Sequence, residues 1–399
     1  MQKYEKELRR TDIEANNLDE ENIFPAFEKN SINLVFSADE TYISYLAVAI
    51  ASIIENSSLK YNYDVVILHQ TLQDYQKRFI LSLAENVSNI SIRFFNMEMY
   101  VEKYSVDSLG TFNHITFSSY FRLFIGKIFS RYNKVLYLDC DLVINKDIAE
   151  LFNIDIGKYP VAAAKDTIIC NSLTCPGFDE KVWNDFKKYM NDSSGFSDVT
   201  NYFNSGVMLI NIAKYNEVKL EYLLDVAKKN SRYFLDQNVM NAVFENNYYL
   251  LPPTWNLQWH VGFLVKDFRQ RLLPELLDLY ENSEVMPNII HYTSHIKPWN
   301  NPHHIFADIW WKYARKTPFY ETFVSDLCKY NLITTEKHGE ILGTADLKNI
   351  MDFNKHKMRY IRYSILSVIT FGKYRKTYEQ KKQKMKKHLE EVKHLIKKA

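Results

Sequence analysis

Short apolar runs alternate with amphipathic stretches through the first hundred and forty positions of the chain. Ile32–Ser37 reads as a buried strand, and the turn Ala38-Asp39-Glu40-Thr41 offers Asp39 or Thr41 as a cap for the next helix. That helix is predicted over Tyr42–Glu55, where Tyr42, Leu46, Ala49, Ile50 and Ile53 recur at helical spacing. The pattern then repeats: strand Tyr63–His69, amphipathic helix Gln73–Ala84, strand Ile90–Phe95, and a helix over Ser118–Ile128 leading into Val135–Leu138. Strands separated by helices on short links imply a parallel sheet covered on both faces, because parallel neighbours need crossover connections. Residues 1–30 are polar and weakly periodic, a lead-in to this unit.

The run Val135-Leu136-Tyr137-Leu138 delivers Asp139-Cys140-Asp141 to the end of a strand. Two carboxylates one residue apart are common in surface turns, where aspartate is favoured. Here apolar residues flank them on both sides, and hard oxygen ligands at the mouth of an open α/β sheet are where cations and phosphates gather. Neither a Gly-x-Gly-x-x-Gly nor a Walker lysine loop is present, so bound phosphates need another cation. Beyond Asp141 the alternation loosens. Residues 167–200 read as a long polar lid or binding loop. An apolar strand follows over 202–211, opened by Asn204-Ser205-Gly206, then a helix from Asp236 to Phe244. A short strand, Asn288–Tyr292, carries His291 and leads to Lys297-Pro298-Trp299.

Charge divides the chain in two. Residues 355–399 hold fifteen Lys or Arg against three Glu, a net of +12, so the preceding 354 residues carry −10 and the whole +2. In the tail, Tyr360, Ile361, Tyr363, Ile365, Leu366, Val368, Ile369 and Phe371 lie among basic residues, a composition suited to an anionic membrane surface; a solvated basic helix is the plainer reading. No nucleic-acid-binding motif accompanies it. No run reaches the roughly 20 apolar residues of a spanning helix, and the charged start Met1–Lys6 lacks a leader's apolar core. Four cysteines, one inside the acidic motif, suit a reducing compartment; Cys170 and Cys175 lack the second pair of a usual zinc site. The expected location is the cytoplasm, peripheral on the inner face of the cytoplasmic membrane.

Six motifs occur in one order: Phe36-Ser37-Ala38-Asp39, His114 with Ser119-Tyr120-Phe121-Arg122-Leu123, Leu138-Asp139-Cys140-Asp141, Phe203-Asn204-Ser205-Gly206-Val207, Asp236-Gln237, and His291-Tyr292 with Lys297-Pro298-Trp299. In this the chain resembles the family-eight glycosyltransferases, which include bacterial lipopolysaccharide galactosyl- and glucosyltransferases and glycogenin. The resemblance implies a GT-A-type fold, a Rossmann-like and mainly parallel sheet flanked by helices, over residues 31–310. A helical connection (311–354) and the basic tail (355–399) would follow as a helical extension.

It further implies a UDP-sugar donor, UDP-glucose or UDP-galactose, a Mn²⁺ ion (Mg²⁺ as substitute), and retention at the anomeric carbon. The acceptor would be a saccharide or a lipid-linked glycan. By resemblance Asp139, Asp141 and His291 would ligate the metal and Lys297 would hold the diphosphate. Ala38, Asp39, Thr41, Tyr42, Cys140, Ser205 and Ser294 would line the donor site, with Asp39 at the uridine end. Arg122, Asn204, Asp236 and Gln237 would surround the transferred sugar, the catalytic group being Arg122, Asp236 and Gln237, with His114 on the acceptor side. Thr41 stands where relatives often have Asn.

The residue types suit that chemistry. Departure of a nucleoside diphosphate leaves negative charge that a divalent ion and a lysine stabilise, and two carboxylates with one imidazole suit Mn²⁺. A carboxylate such as Asp236 helps an oxocarbenium-like sugar electrostatically. An amide at Gln237 is a poor nucleophile, which favours a front-face route. Plainer roles stand beside these: His291 as a hydrogen-bonded strand end, Arg122 as an ion-pair partner, Asp236 as a helix N-terminus, Trp255 and Trp259 as core. A UDP-sugar hydrolase and a catalytically silent glycan-binding protein are the rival readings.

Overall fold

The structure is a computed structural model that describes residues 12–13, 23–106, 109, 117–167, 169–170, 184, 188, 201–229, 235–258, 286–293, 297–302, 304–328, 380, 383 and 386–387. Its strands are β1 (Asp12–Ile13), β2 (Ser31–Ser37), β3 (Asn62–His69), β4 (Ile90–Asn96), β5 (Lys134–Leu138), β6 (Leu142–Ile144), β7 (Val161–Ala163), β8 (Val207–Asn211), β9 (Tyr248–Leu250), β10 (Leu257–Gln258) and β11 (Ile289–His291). Eight of them form one sheet in the order β1-β4-β3-β2-β5-β8-β7-β9, and β10-β11-β6 form a second.

From β1 to β5 every pairing is parallel, as the alternation of strands and helices predicts. β8 then joins β5 antiparallel, β7 joins β8 antiparallel, and β9 joins β7 parallel. The strand order turns back at β2, which has β3 on one side and β5 on the other. That switch point opens a crevice at the carboxyl ends of β2 and β5, where open α/β sheets take their ligands.

Strand alternation sorts the sheet's side chains into two cores. Leu34, Phe36, Leu136 and Leu138 face one, Val35, Val135 and Tyr137 the other. On the first face lies α1 (Ile43–Asn56), from Leu46 to Ile53 an unbroken buried run. It has no solvent stripe there because β6 and the later helix over Ala307–Ala314 cover its outer side. Asn56 ties the α1 end to both, donating to the Ile144 carbonyl (3.0 Å) and the Tyr313 hydroxyl (3.0 Å). After α2 (Asp74–Ser82) and α3 (Glu98–Tyr104), the chain departs from expectation. In place of one α-helix over Ser118–Ile128 it winds a 3-10 helix over Phe117–Phe124, followed by the short α4 (Ile125–Ile128). Tyr120 to Phe124 are all buried, a run that leaves no polar face for an amphipathic α-helix.

Short helices α5 (Ala149–Phe152) and α6 (Ile212–Tyr215) and the longer α7 (Leu220–Lys229), α8 (Leu235–Phe244) and α9 (Ala307–Ala314) complete the named helices. The predicted strand over 202–211 begins at Val207, because Phe203–Gly206 form the turn before it. No described helix is long and apolar enough to cross a membrane. Of the basic tail only residues 380, 383, 386 and 387 are described, each helical and exposed. The apolar segment 360–371 and most of the polar segment 167–200 lie outside the described residues, as do Cys175 and Trp259. Trp255 is core.

Candidate active site

β5 ends at Leu138 directly opposite Val207, the first residue of β8. Since β8 is antiparallel, the turn Asn204-Ser205-Gly206 before it lies at the same edge as Asp139, and the Asp139 N–H donates to the Gly206 carbonyl at 2.8 Å. In the second sheet β6 pairs antiparallel with β11, setting His291 opposite Leu142. The Tyr292 N–H donates to the Asp141 carbonyl at 3.0 Å. Two pairings thus carry residues far apart in sequence to the two sides of Asp139-Cys140-Asp141.

Asp139, Asp141 and His291 offer ligand atoms that lie within 4.8 Å of one another. His291 Nε2 is 3.2 Å from Asp141 Oδ1 and 3.8 Å from Asp139 Oδ2. Lys297 Nζ donates to Asp141 Oδ2 at 2.6 Å and also to the Tyr292 carbonyl. Burial acts to raise the Asp141 carboxyl, but Lys297 and His291 hold it well below the usual carboxylate range. The donor set suits a divalent ion: two hard carboxylates, one imidazole nitrogen, and room kept by the absence of a side chain at Gly206. A Cβ on Gly206 would stand 2.3 Å from His291 Cε1 and 2.6 Å from Asp139 Oδ2.

Arg122 comes from the 3-10 helix and is buried among fixed partners. Its Nη1 donates to the Ser205 carbonyl and hydroxyl (both 2.7 Å), its Nη2 to Asp139 Oδ1 (2.8 Å), and its Nε to the Ser119 carbonyl (3.0 Å). Nε also pairs with Asp236 Oδ2 at 2.8 Å, and the guanidinium lies 4.4 Å from the Tyr137 ring centroid. Burial opposes its charge, yet Asp139 and Asp236 more than reverse that and keep it protonated. One guanidinium between two carboxylates leaves Asp236 the weaker claimant. Burial first, then the charge of Asp139, push Asp236 up to about 6 against the pull of Arg122.

Gln237 does not present a free amide. Its oxygen accepts from the Ser205 N–H (3.0 Å), and its nitrogen donates to Asp166 Oδ2 (3.0 Å). Asn204 donates to the same Asp166 oxygen at 3.1 Å. Cys140, buried between the two aspartates, donates its thiol to the Ser37 carbonyl at 3.1 Å, and burial raises that thiol well above its ordinary range.

On the β2 side, Asp39 Oδ1 accepts the N–H groups of Thr41 (2.9 Å) and Tyr42 (3.0 Å), so Asp39 is the residue that caps the turn into α1. The Ala38 N–H is used by the Leu68 carbonyl at 3.0 Å. Thr41 is exposed. Burial and the charge of Asp141 raise the Tyr42 hydroxyl. His114 and Ser294 lie outside the described residues.

Three residues in this cluster carried no individual sequence assignment. Asp166 lies three residues past β7, a strand too short to announce it in sequence. Gly206 sat within a recognised motif without a stated role. Asn256, fully buried, gave no local signal: it lies after Pro252-Pro253-Thr254-Trp255 and acts only through distant partners.

An open, mainly parallel sheet with paired aspartates at its switch point defines a GT-A-type fold. The family model described as glycosyl transferase family 8 matches residues 33–302, and the chain belongs to that family. Glycosyltransferase GlyF of Streptococcus pneumoniae serotype 4 is 28% identical over 286 residues, covering 70% of this chain and 61% of GlyF. Among solved structures, the WbbM bifunctional glycosyltransferase in its apo form superposes with a TM-score of 0.66 at 27% identity, over 76% of this chain and 53% of that one. The galactosyltransferase LgtC, solved with donor and acceptor sugar analogues, shares the fold with a TM-score of 0.55 at 22% identity, over 72% of this chain and 96% of its own. The chain therefore spans less than two thirds of GlyF and about half of WbbM.

Proposed function

We propose that this protein transfers a hexose, glucose or galactose, from a UDP-sugar to a saccharide or lipid-linked acceptor with retention, in the synthesis of a bacterial surface polysaccharide. The observation that carries the reading is the meeting of Asp139, Asp141 and His291 within 4.8 Å, with Lys297 2.6 Å from Asp141, at a sheet edge built for ligands. A divalent ion held by those three side chains, Mn²⁺ or in its place Mg²⁺, supplies Lewis-acid stabilisation of the departing UDP. Lys297 adds a further positive charge next to the diphosphate. Asp39 on the β2 side takes the uridine end, with Ala38 beside it, and Thr41, Tyr42, Cys140 and Ser294 belong to the rest of the donor site. Arg122, Asn204, Ser205, Asp236 and Gln237 shape the sugar pocket, and by resemblance His114 would belong to the acceptor side.

The sugar-side bonding supports a front-face route. The Gln237 oxygen is already engaged by an N–H, and the Asp236 carboxylate is engaged by Arg122. With neither of these side chains free to attack, the C1–O bond to the diphosphate breaks as the acceptor oxygen bonds C1 on the same face. The acceptor's proton then passes to the departing phosphate oxygen.

The test is UDP release from a panel of UDP-hexoses with Mn²⁺, with and without saccharide acceptors. We expect release to rise with a matching acceptor and to vanish in Asp139→Asn and Asp141→Asn. Release that ignores every acceptor points to a hydrolase; no release from any donor points to a silent glycan-binding protein. The basic tail would hold the enzyme on the inner face of the cytoplasmic membrane, each Lys or Arg near an anionic leaflet contributing about 1 kcal/mol. Sedimentation with anionic but not neutral vesicles, lost on truncation at residue 355, checks it.

A further inference from the structure

His291 reaches the aspartates through Nε2, while its Nδ1 lies 3.0 Å from the side-chain oxygen of Asn256. We infer that Asn256 is a positioning residue which, with Asn204, keeps a proton on His291 Nδ1 and so makes Nε2, 3.2 Å from Asp141 Oδ1, the nitrogen that turns to a cation. This rests on the cation-binding reading proposed above, but its hydrogen-bond logic stands on the protein alone.

The chain of bonds has one possible direction. It begins at the backbone N–H of Gly206, which donates to Asn204 Oδ1 at 3.0 Å. A backbone N–H can only donate, so the atom facing it must be oxygen. The other end of the Asn204 amide meets Asp166 Oδ2 at 3.1 Å, where an acceptor demands the NH₂ group. Asn204 is therefore fixed by a donor on one side and a carboxylate on the other. Asn256 Nδ2 donates to that same Asn204 oxygen at 2.9 Å, so the Asn256 oxygen must be the atom turned to His291. An acceptor facing Nδ1 requires Nδ1 to carry hydrogen. Asn256 is fully buried and His291 nearly so, which keeps water from substituting for either partner.

Gln237 repeats the arrangement as a second arm. It takes the Ser205 N–H on its oxygen and gives its NH₂ to Asp166 Oδ2. Two adjacent backbone N–H groups and one carboxylate thus orient both amides, and one arm continues to the imidazole. Metal-binding histidines are oriented by such outer partners, whose loss lowers metal affinity about 10- to 100-fold.

The first measurement needs no variant. In protein carrying ¹⁵N-histidine, the His291 signals, identified by their loss in His291→Gln, should show a protonated Nδ1 both before and after Mg²⁺ is added. An unprotonated Nδ1 in either state overturns the inference. The second compares Mn²⁺ affinity, read by electron paramagnetic resonance, in Asn256→Leu and Asn256→Asp. Leucine removes the acceptor and should weaken Mn²⁺ binding about 10- to 100-fold. Aspartate keeps an oxygen for Nδ1–H and should recover most of it. Equal loss in both variants, or no loss in the leucine variant, overturns the positioning role. If Asn256→Leu does not fold, the wild-type spectrum and the aspartate variant decide. A protonated Nδ1 in a protein that binds neither Mn²⁺ nor Mg²⁺ upholds the relay and sinks the cation reading instead.

Discussion

Asp139 and Asp141 leave the same strand two residues apart, yet different parts of the chain compensate them. Asp139 is held by Arg122 and by the Tyr137 hydroxyl at 3.2 Å, both nearby in sequence. Asp141 is held by His291 and Lys297, the latter 156 residues away. Arg122 is itself locked by Asp236, Ser205 and Ser119, so its charge belongs to the folded framework. The Lys297 ammonium ends a long stem and, among the described residues, donates to Asp141 and the Tyr292 carbonyl. The difference separates a charge built into the core from one that a bound cation can replace.

Substitutions at the space shared by Asp139, Asp141 and His291 should have the largest effect. Asp139→Asn, Asp141→Asn and Gly206→Ala are each expected to lower UDP release about 10²- to 10³-fold, as losses of electrostatic stabilisation do. The alanine acts by filling the gap that His291 and Asp139 face, so it should lose Mn²⁺ binding while still folding. Retained Mn²⁺ affinity in Gly206→Ala would break the proposed site.

The comparison itself is tested next by Arg122→Met against Lys297→Met. Removing one partner of a buried ion pair costs about 3–5 kcal/mol. For Arg122→Met that loss should persist in Mn²⁺, because Asp236 stays unpaired. For Lys297→Met we expect Mn²⁺ to restore much of the thermal stability, since a cation can take over the compensation of Asp141. Equal recovery in both variants, seen as matching shifts in melting temperature, would remove the distinction.

A smaller effect concerns pH. Asp236 is raised to about 6 from an ordinary 3.8, so the folded state holds a proton that the unfolded chain releases. Stability contributed by that proton is present below about pH 4 and is lost as pH rises through 6, on the order of 3 kcal/mol. Asp236→Asn should flatten this segment of the stability curve in metal-free protein; an unchanged slope would place the titration elsewhere. Ser205→Ala should do least. It removes one hydroxyl contact to Arg122 while the Ser205 carbonyl still accepts, a loss of about 1 kcal/mol in denaturant titration.

Much of this contrast was visible in sequence on the Asp139 side only. β2 to β5 obey one pattern, buried runs broken by amphipathic helices, and their boundaries fall within one or two residues of the predicted ones. Local pattern suffices there because each of these strands is a buried apolar run that carries its own signal whatever it pairs with; β5 itself pairs with the distant β2 and β8. The 3-10 winding at Arg122 escaped because burial of five consecutive residues is a tertiary demand that overrides helical spacing. The strands β6, β7, β9 and β10, only two or three residues long, carry too little periodicity to be read alone.

What the amino-acid sequence determined by itself was the kind of chemistry: strand-borne carboxylates, an imidazole, a lysine and an amide, in an order that marks a family. Only the tertiary structure decided which of these meet, and through whom. β8 returns antiparallel to place Gly206 against Asp139, and β11 pairs with β6 to bring His291 to Asp141. Asn256 illustrates the reason. Its contribution comes from two hydrogen bonds to residues 35 and 52 positions away, and a direction of donation set by a backbone N–H has no signature in residue type.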